Sequence, residues 1–216
     1  MNGKLIVIEG TDAVGKATQS MMLAQKLKER GNKVEVINFP TYGSIFGKLI
    51  KQYLHGKFGT KDGLAPELVS ILYALDRYQY SATLQTKIDG GKYIICNRYS
   101  QSNLYQAAKI PDAAKRRKFI EWVWGLESRL PAADAIAFLN LPPSISSKLL
   151  IKRGRKIDMH EKDLAYQENV RRAYLDEARK RHWIVIDCTE KGSLKDKKKI
   201  SKELFAALGK KLRGGI

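Results

Sequence analysis

The sequence has few cysteines and lacks an apolar run of membrane-spanning length. Its two cysteines, Cys96 and Cys188, are too few for a disulfide framework and lack the spacing of a zinc site, so we expect both to be reduced, buried and structural. No apolar run reaches the roughly 18–20 residues of a membrane span, and MNGK passes directly into LIVIEG without a cleavable signal. We therefore expect a cytoplasmic protein with no membrane partner.

Acidic residues are also scarce, with 22 Asp and Glu against 40 Lys and Arg, which gives a net charge of +18. Such an excess could neutralise the phosphates of a nucleic acid. However, the densest basic run, KDKKKISK, adjoins Ile200, Leu204 and Leu208 at helical spacing, which predicts the solvent-facing side of a C-terminal helix. The other arginines lie mostly in segments that a small anionic substrate explains better. We predict no specific nucleic-acid partner.

Five short apolar runs, rich in β-branched residues, alternate with stretches of helical periodicity. The runs are LIVIEG, KVEVINF, KYIIC, DAIAFLNL and HWIVIDC. This alternation is typical of an α/β fold in which a parallel sheet is covered by helices on both faces. With 216 residues, no repeats and no low-complexity linker, residues 1–216 are expected to form one domain.

The segment from Gly10 to Lys16 matches the phosphate-binding pattern G-x-x-x-x-G-K. Its glycines allow backbone N–H groups to approach phosphate oxygens, and the helix that follows directs its positive end at them. The motif alone has little specificity, but here it follows the apolar run LIVIEG and precedes an amphipathic stretch. That strand–loop–helix context predicts a nucleotide site in which Lys16 reaches the β- and γ-phosphates.

Three later segments carry residues suited to a second bound nucleotide. YALDRYQ places Tyr73 and Arg77 four residues apart, on one side of a helix, where a ring and a guanidinium could face one ligand. NRYSQSN places Arg98 just after a buried strand, at the sheet edge where α/β proteins bind ligands. KRGRKIDMHEKD concentrates basic residues before a helix, which suggests a lid over phosphates at about 152–161.

Five motifs carry a family resemblance: IEGTDAVGKATQ, NFPTYGSIFGKLI, ILYALDRYQ, NRYSQSN and RGRKIDMHEKD. Their order and intervals resemble those of the thymidylate kinase family of nucleoside-monophosphate kinases. The resemblance covers residue 4 to about residue 188. It implies a P-loop kinase fold with a five-stranded parallel sheet and a short basic lid. It also implies transfer of a phosphoryl group from ATP, with Mg²⁺, to dTMP, and a homodimeric assembly.

The resemblance also assigns roles on the ATP side of the site. Lys16 and the loop backbone would hold the phosphates, with Thr18 near the α-phosphate and Asp12 facing the acceptor. The ATP-binding set is Gly10, Thr11, Ala13, Val14, Gly15, Lys16, Ala17 and Thr18. The implied catalytic residues are Asp12, Lys16 and Arg98, together with Arg153 and Arg155 of the lid.

On the acceptor side, the resemblance implies that Tyr73 stacks on thymine and Arg77 clamps the acceptor phosphate. Arg98 would lie between donor and acceptor, and Asn103 could read the base edge. The implied substrate-binding residues are Phe39, Pro40, Tyr42, Tyr73, Arg77, Arg98, Asn103, Asp158 and His160.

Two positions depart from the family pattern, and both concern magnesium. Ala17 replaces the Ser or Thr whose hydroxyl would bind the metal, and Asn97 replaces an aspartate that would hold a metal-bound water. No residue is therefore predicted to ligate a metal directly, and ATP would bring the ion in. NRYSQSNLYQAAK is also one residue shorter than the family spacing, so the resemblance assigns no role to Tyr105 or Gln106.

Three alternatives remain open at this stage. The acceptor could be dUMP, UMP or CMP, because the pocket residues exclude little by themselves. The altered metal positions could leave a nucleotide-binding homologue with weak activity. The basic surface could bind nucleic acid, although no groove-reading motif accompanies it.

Overall fold

The computed structural model describes residues 3–59, 63–152 and 163–212, and a five-stranded parallel sheet forms its centre. The strands are β1 (Lys4–Gly10), β2 (Val34–Asn38), β3 (Tyr93–Asn97), β4 (Ala135–Asn140) and β5 (Ile184–Asp187). Each corresponds to one of the five apolar runs. A separate antiparallel pair joins β6 (Thr189–Glu190) to β7 (Ser193–Leu194).

The sheet order is β2-β3-β1-β4-β5, with β1 at the centre. In the parallel register Ile8 lies beside Asn97 on β3 and beside Ala137 on β4. The carboxyl ends of β1 and β3 therefore meet at the same edge of the sheet, and the loops that follow them lie side by side. This is the edge at which open α/β sheets bind ligands.

Nine α-helices cover the sheet in the described part of the chain. They are α1 (Lys16–Glu29), α2 (Ile45–Leu54), α3 (Pro66–Tyr78), α4 (Ser81–Asp89), α5 (Leu104–Ala107), α6 (Ala113–Leu126), α7 (Pro143–Lys152), α8 (Leu164–Lys180) and α9 (Lys197–Lys211). A short 3₁₀ helix, Ser100–Asn103, precedes α5.

Alternate residues of β1 point to opposite faces of the sheet, as strand geometry requires. Ile6 and Ile8 pack in a core with α1 and α9, whereas Leu5 and Val7 pack on the other face in a core that includes Leu84 of α4. Another core on that second face joins α5, α6 and α8 to β4. The predicted α/β architecture with helices on both faces is therefore confirmed.

The basic C-terminal run lies where the helical pattern predicted. Lys197, Lys198 and Lys199 begin α9 and are exposed, whereas Ile200 and Leu204 are 4% and 1% exposed in the core shared with α1. The lysines therefore form the solvent face of an amphipathic helix. The prediction from spacing is confirmed.

Both cysteines are free thiols with buried side chains, as predicted. Burial raises the pKa of Cys188 to about 12, so the thiol is protonated at neutral pH. Within 3–59, 63–152 and 163–212, none of the helices combines the length and the apolar character that crossing a membrane requires.

Candidate active site

The loop between β1 and α1 adopts backbone angles that suit its predicted contact with phosphate. Gly15 has φ of 92°, in the left-handed region that glycine adopts most easily, and Ala13 also has a positive φ of 60°. Lys16 is only 9% exposed, and its Nζ donates to the carbonyl oxygens of Gly10 at 3.0 Å and Thr11 at 2.7 Å. The loop therefore wraps around the lysine, which keeps its ammonium group beside the α1 N-terminus.

The two unusual metal positions offer only indirect support to an ion. Ala17 directly follows Lys16 and carries no hydroxyl, and both Ala17 and Thr18 lie exposed in the first turn of α1. Asn97 donates through Nδ2 to Asn38 Oδ1 at 2.8 Å, while its Oδ1 is buried without a hydrogen-bond partner. The described residues form no cluster of three or more His, Cys, Asp or Glu that could hold a metal. A water-mediated contact through Asn97 Oδ1 is the interaction that this arrangement fits.

Asp12 and Arg98 form an ion pair across the β1 and β3 loops. Arg98 Nη2 lies 2.6 Å from Asp12 Oδ1. The other carboxylate oxygen accepts hydrogen bonds from the Tyr105 hydroxyl at 3.0 Å and from Gln167 Nε2 at 3.1 Å. Arg98 also lies over the Tyr105 ring, with Cζ 4.9 Å from its centre, which adds a cation–π contact. Four segments of the chain thus meet at one carboxylate.

This network keeps Asp12 and Arg98 ionised. Burial alone would raise the pKa of Asp12, but the charges of Arg98 and Lys16, with the Tyr105 and Gln167 hydrogen bonds, lower that pKa below its usual value. Burial works against the charge of Arg98, but the neighbouring groups that include Asp12 hold its pKa well above the usual value. At neutral pH the site therefore holds a charged guanidinium beside the phosphate loop, balanced by the Asp12 carboxylate.

A buried glutamate on β1 holds the backbone around Arg98. Arg98 has a positive φ of 70°, which is unfavourable for a residue with a side chain, and its N–H donates to Ile8 O at 3.0 Å. Glu9 is fully buried and accepts hydrogen bonds from the Tyr99 N–H at 2.8 Å and the Tyr174 hydroxyl at 2.8 Å. These bonds on both sides of the turn stabilise the strained conformation of Arg98.

A cavity that is open to solvent extends from the ion pair toward α2 and α3. It is lined by Asp12, Pro40, Tyr42, Leu54, Tyr73, Arg98, Ser102, Asn103, Tyr105 and Gln106. Its lining combines the charges of Asp12 and Arg98 with the Tyr73 ring and the Asn103 amide. The cavity thus offers both ionic and aromatic groups, as a nucleotide ligand would require.

Comparison with known proteins decides the family. The family model described as thymidylate kinase matches residues 8–199, which is most of the chain. The chain belongs to the thymidylate kinase family. The resemblance inferred from the motifs is confirmed.

Individual relatives agree with this assignment. The chain is 28% identical over 187 residues to a protein named thymidylate kinase from Danio rerio, covering 86% of this chain and 82% of that one. It is 35% identical over 176 residues to a probable thymidylate kinase from Thermococcus onnurineus, covering 79% and 82%. A solved thymidylate kinase from Candida albicans superposes with a TM-score of 0.79 at 24% identity, covering 99% and 93%, which shows the shared fold.

Most of the acceptor residues implied by the thymidylate kinase resemblance lie together. Pro40, Tyr42, Tyr73, Arg98 and Asn103 all line the cavity. Phe39 lies outside that lining: it is 3% exposed and packs against the rings of Tyr80 and Tyr99, at 6.0 and 5.8 Å between centres. Phe39 therefore supports the wall of the cavity from the core.

Arg77 is placed differently from a free phosphate clamp. It is 1% exposed and its guanidinium is paired with Glu127, through Nε at 2.8 Å and through Nη2. Glu127 also accepts a hydrogen bond from Asn103. In this conformation the Glu127 carboxylate balances the charge of Arg77, and the pair is buried. Clamping of phosphate by Arg77 stays a prediction, and it requires this buried pair to open.

The lid residues fall outside the described part of the chain. They are Arg153, Arg155, Asp158 and His160. Their roles over the phosphates and at the far side of the site stay predictions.

Several residues of the site were not assigned from the sequence. Ser102 and Tyr105 follow Arg98 by four and seven residues, a helical spacing that could have placed all three on one side of a turn. Gln167 contacts Asp12 across 155 residues, and no local pattern signals such a contact. Glu127 lies at the C-terminal end of α6, far in sequence from the residues it binds.

Proposed function

We propose that this member of the thymidylate kinase family transfers the γ-phosphoryl group of ATP to dTMP and forms dTDP. The observation that carries the proposal is the ion pair of Asp12 and Arg98, which joins the phosphate loop to the lining of the cavity. The ATP phosphates on the loop and the dTMP phosphate in the cavity would meet at Arg98. Positioning and positive charge are the main demands of phosphoryl transfer.

The ionic and aromatic groups that line the cavity fit the two parts of a nucleoside monophosphate. The base would stack on Tyr73 and meet the amide of Asn103, while the phosphate would lie toward Arg98. Stacking of a base on an aromatic ring contributes about 1–3 kcal/mol, so Tyr73 would supply a substantial part of the affinity. The span of the cavity would then aim the acceptor phosphate at the loop.

In the reaction, an oxygen of the dTMP phosphate attacks the γ-phosphorus of ATP, and the bond between that phosphorus and the β,γ-bridging oxygen breaks to release ADP. Lys16 and the loop N–H groups would hold the donor phosphates. Arg98 would stabilise the charge on the transferring group, a role in which electrostatic preorganisation contributes most of the catalysis. Asp12, paired with Arg98 before substrate binds, would keep that guanidinium oriented.

Mg²⁺ would enter as its complex with ATP, where it neutralises phosphate charge. The residues present fit this mode, because Asn97 Oδ1 can accept a hydrogen bond from a metal-bound water and Ala17 leaves room beside the loop. Magnesium keeps several waters in most nucleotide sites, so indirect support is compatible with function. We therefore expect the protein to bind the Mg²⁺ ion weakly.

The substrate assignment predicts a clear order of acceptors. With ATP and Mg²⁺, we expect dTMP to give the highest kcat/KM among dTMP, dUMP, UMP, CMP and AMP in a coupled assay of ADP release. A Lys16→Ala control should lower kcat by roughly 100-fold or more, because it removes a charge that stabilises the transition state. A higher kcat/KM for UMP or CMP would show that this monophosphate, and not dTMP, is the preferred acceptor. Binding without turnover of any of the five would indicate a nucleotide-binding protein.

The altered metal positions predict an unusual need for free magnesium. Ala17→Ser adds a hydroxyl in an exposed helical turn, and Asn97→Asp adds a charge beside the site of the metal-bound water, opposite an Asn38 amide that can turn to donate. The double variant should lower the magnesium concentration for half-maximal rate by roughly fivefold, the equivalent of about 1 kcal/mol. Its two changes should be non-additive if they act on one ion.

The measurement is a magnesium titration at fixed ATP for the parent, both single variants and the double variant. Ala206→Ser, an exposed alanine of α9, is the matched control and should leave the curve unchanged. Superimposable curves for all five proteins would show that neither position influences the metal.

We also propose a homodimer, which pairs through the outer surfaces of α2 and α3. Leu68, Ile71 and Leu75 form one stripe along α3 and are 54%, 38% and 40% exposed, and Ile45 and Leu49 of the adjacent α2 are 75% and 36% exposed. We call these five residues the α2–α3 apolar face. A surface of this kind on one helix pair fits a self-complementary contact between two copies.

We also propose a cytoplasmic location, with which the two free thiols are consistent.

Light scattering coupled to gel filtration tests the dimer. The parent should run at twice the mass of the chain, and Ile71→Asp should shift it to the monomer because a charge would be buried at the contact. Met21→Asp on α1 is the matched control, since Met21 is also an exposed apolar residue, at 62%. A monomeric parent would refute the proposal.

A further inference from the structure

Glu127 occupies a position that the phosphoryl transfer proposed above does not use. It follows α6 directly, and its side chain is 1% exposed. One carboxylate oxygen accepts both hydrogen bonds from Arg77, and the other accepts one from Asn103 Nδ2 at 3.1 Å. A buried carboxylate with donors on both oxygens is fixed in orientation and can accept but not donate.

The contact with Glu127 determines which way the Asn103 amide faces. Asn103 Nδ2 donates one hydrogen to Glu127 and the other to the backbone oxygen of Ser100 at 3.2 Å. Turning the amide over would put its oxygen against two acceptors and leave both unsatisfied, at a cost of several lost interactions in a buried place. Oδ1 is therefore the polar atom that Asn103 can offer to a ligand in the cavity.

An acceptor at this position distinguishes pyrimidine bases by their ring nitrogen. In thymine and uracil N3 carries a hydrogen and can donate to Asn103 Oδ1. In cytosine N3 is itself an acceptor and would face another acceptor. Asn103 and Tyr73 both line the cavity, so a base stacked on that ring could present its edge to this amide.

We propose that Glu127 is a positioning residue for base selection: by holding the Asn103 amide with its oxygen toward the cavity, it favours monophosphates whose base has a ring N–H. The proposal rests on the proposed function, because it places a pyrimidine on Tyr73. It adds that the choice between uracil-type and cytosine-type bases is made by a residue that need not touch the substrate.

Glu127→Gln tests this directly. A glutamine at 127 can donate as well as accept, so only the Ser100 carbonyl still opposes turning of the Asn103 amide, and its preferred orientation weakens. The best ligand pair is dUMP and dCMP, because neither carries the 5-methyl group. We expect the parent to bind dUMP more tightly than dCMP, and Glu127→Gln to reduce the ratio of their dissociation constants by about tenfold, the equivalent of one misplaced hydrogen bond.

The readout is binding by isothermal titration calorimetry, so it is independent of turnover. Glu177→Gln is the matched control: the Glu177 side chain is also buried, at 4% exposed, and ion-paired, with Lys180 and Arg181, and its substitution should leave the ratio unchanged. Glu127→Asp retains an acceptor and should preserve the direction of the preference. An unchanged ratio in Glu127→Gln would overturn the proposal, even if the enzyme phosphorylates dTMP.

If Glu127→Gln does not fold, the parent protein still provides a test. The side-chain NH₂ of Asn103, assigned by its loss in Asn103→Leu, should show slow hydrogen exchange in the NMR spectrum because both hydrogens are bonded. Fast exchange of that group, or tighter binding of dCMP than of dUMP by the parent, would overturn the inference. Failure of the proposed function looks different: no turnover of dTMP, whatever the binding ratio.

Discussion

The site depends on the ion pair between Asp12 and Arg98. Neither residue belongs to a strand: Asp12 follows β1 and Arg98 follows β3. They meet because β1 and β3 are parallel neighbours in register, so their carboxyl ends reach the same edge. Because of this order of strands, the pair forms a charged contact between the phosphate loop and the cavity.

Two buried glutamates support the site in similar ways. Glu9 accepts hydrogen bonds from the Tyr99 N–H and the Ser102 hydroxyl, which follow Arg98 in the chain. Glu127 accepts hydrogen bonds from Arg77 and Asn103. Each is an acceptor whose donors come from distant parts of the chain. Because an unsatisfied buried carboxylate is costly, each one restricts its neighbours to few arrangements. Preorganisation of this kind would reduce the reorganisation that substrate binding requires.

The sequence allowed the strands, the phosphate loop and most of the cavity to be predicted, because each depends on a local pattern. Alternation of apolar runs identified all five strands, and G-x-x-x-x-G-K located Lys16. Contacts between distant residues were not predictable in this way. The spacing of Tyr73 and Arg77 correctly put both on α3, but only the fold shows that Glu127 neutralises Arg77. Phe39 was likewise expected in the pocket and packs behind it.

The central claim is that Asp12 acts through Arg98, and a double-mutant cycle tests it most directly. The kcat/KM for dTMP would be measured for the parent, Asp12→Asn, Arg98→Met and the double variant. Groups in one ion pair couple by roughly 0.5–3 kcal/mol, so Asp12→Asn should lower kcat/KM by about tenfold in the parent and hardly at all once Arg98 is replaced. If the two substitutions acted independently, the double variant would lower kcat/KM by the product of the two single effects, and this result would contradict the account.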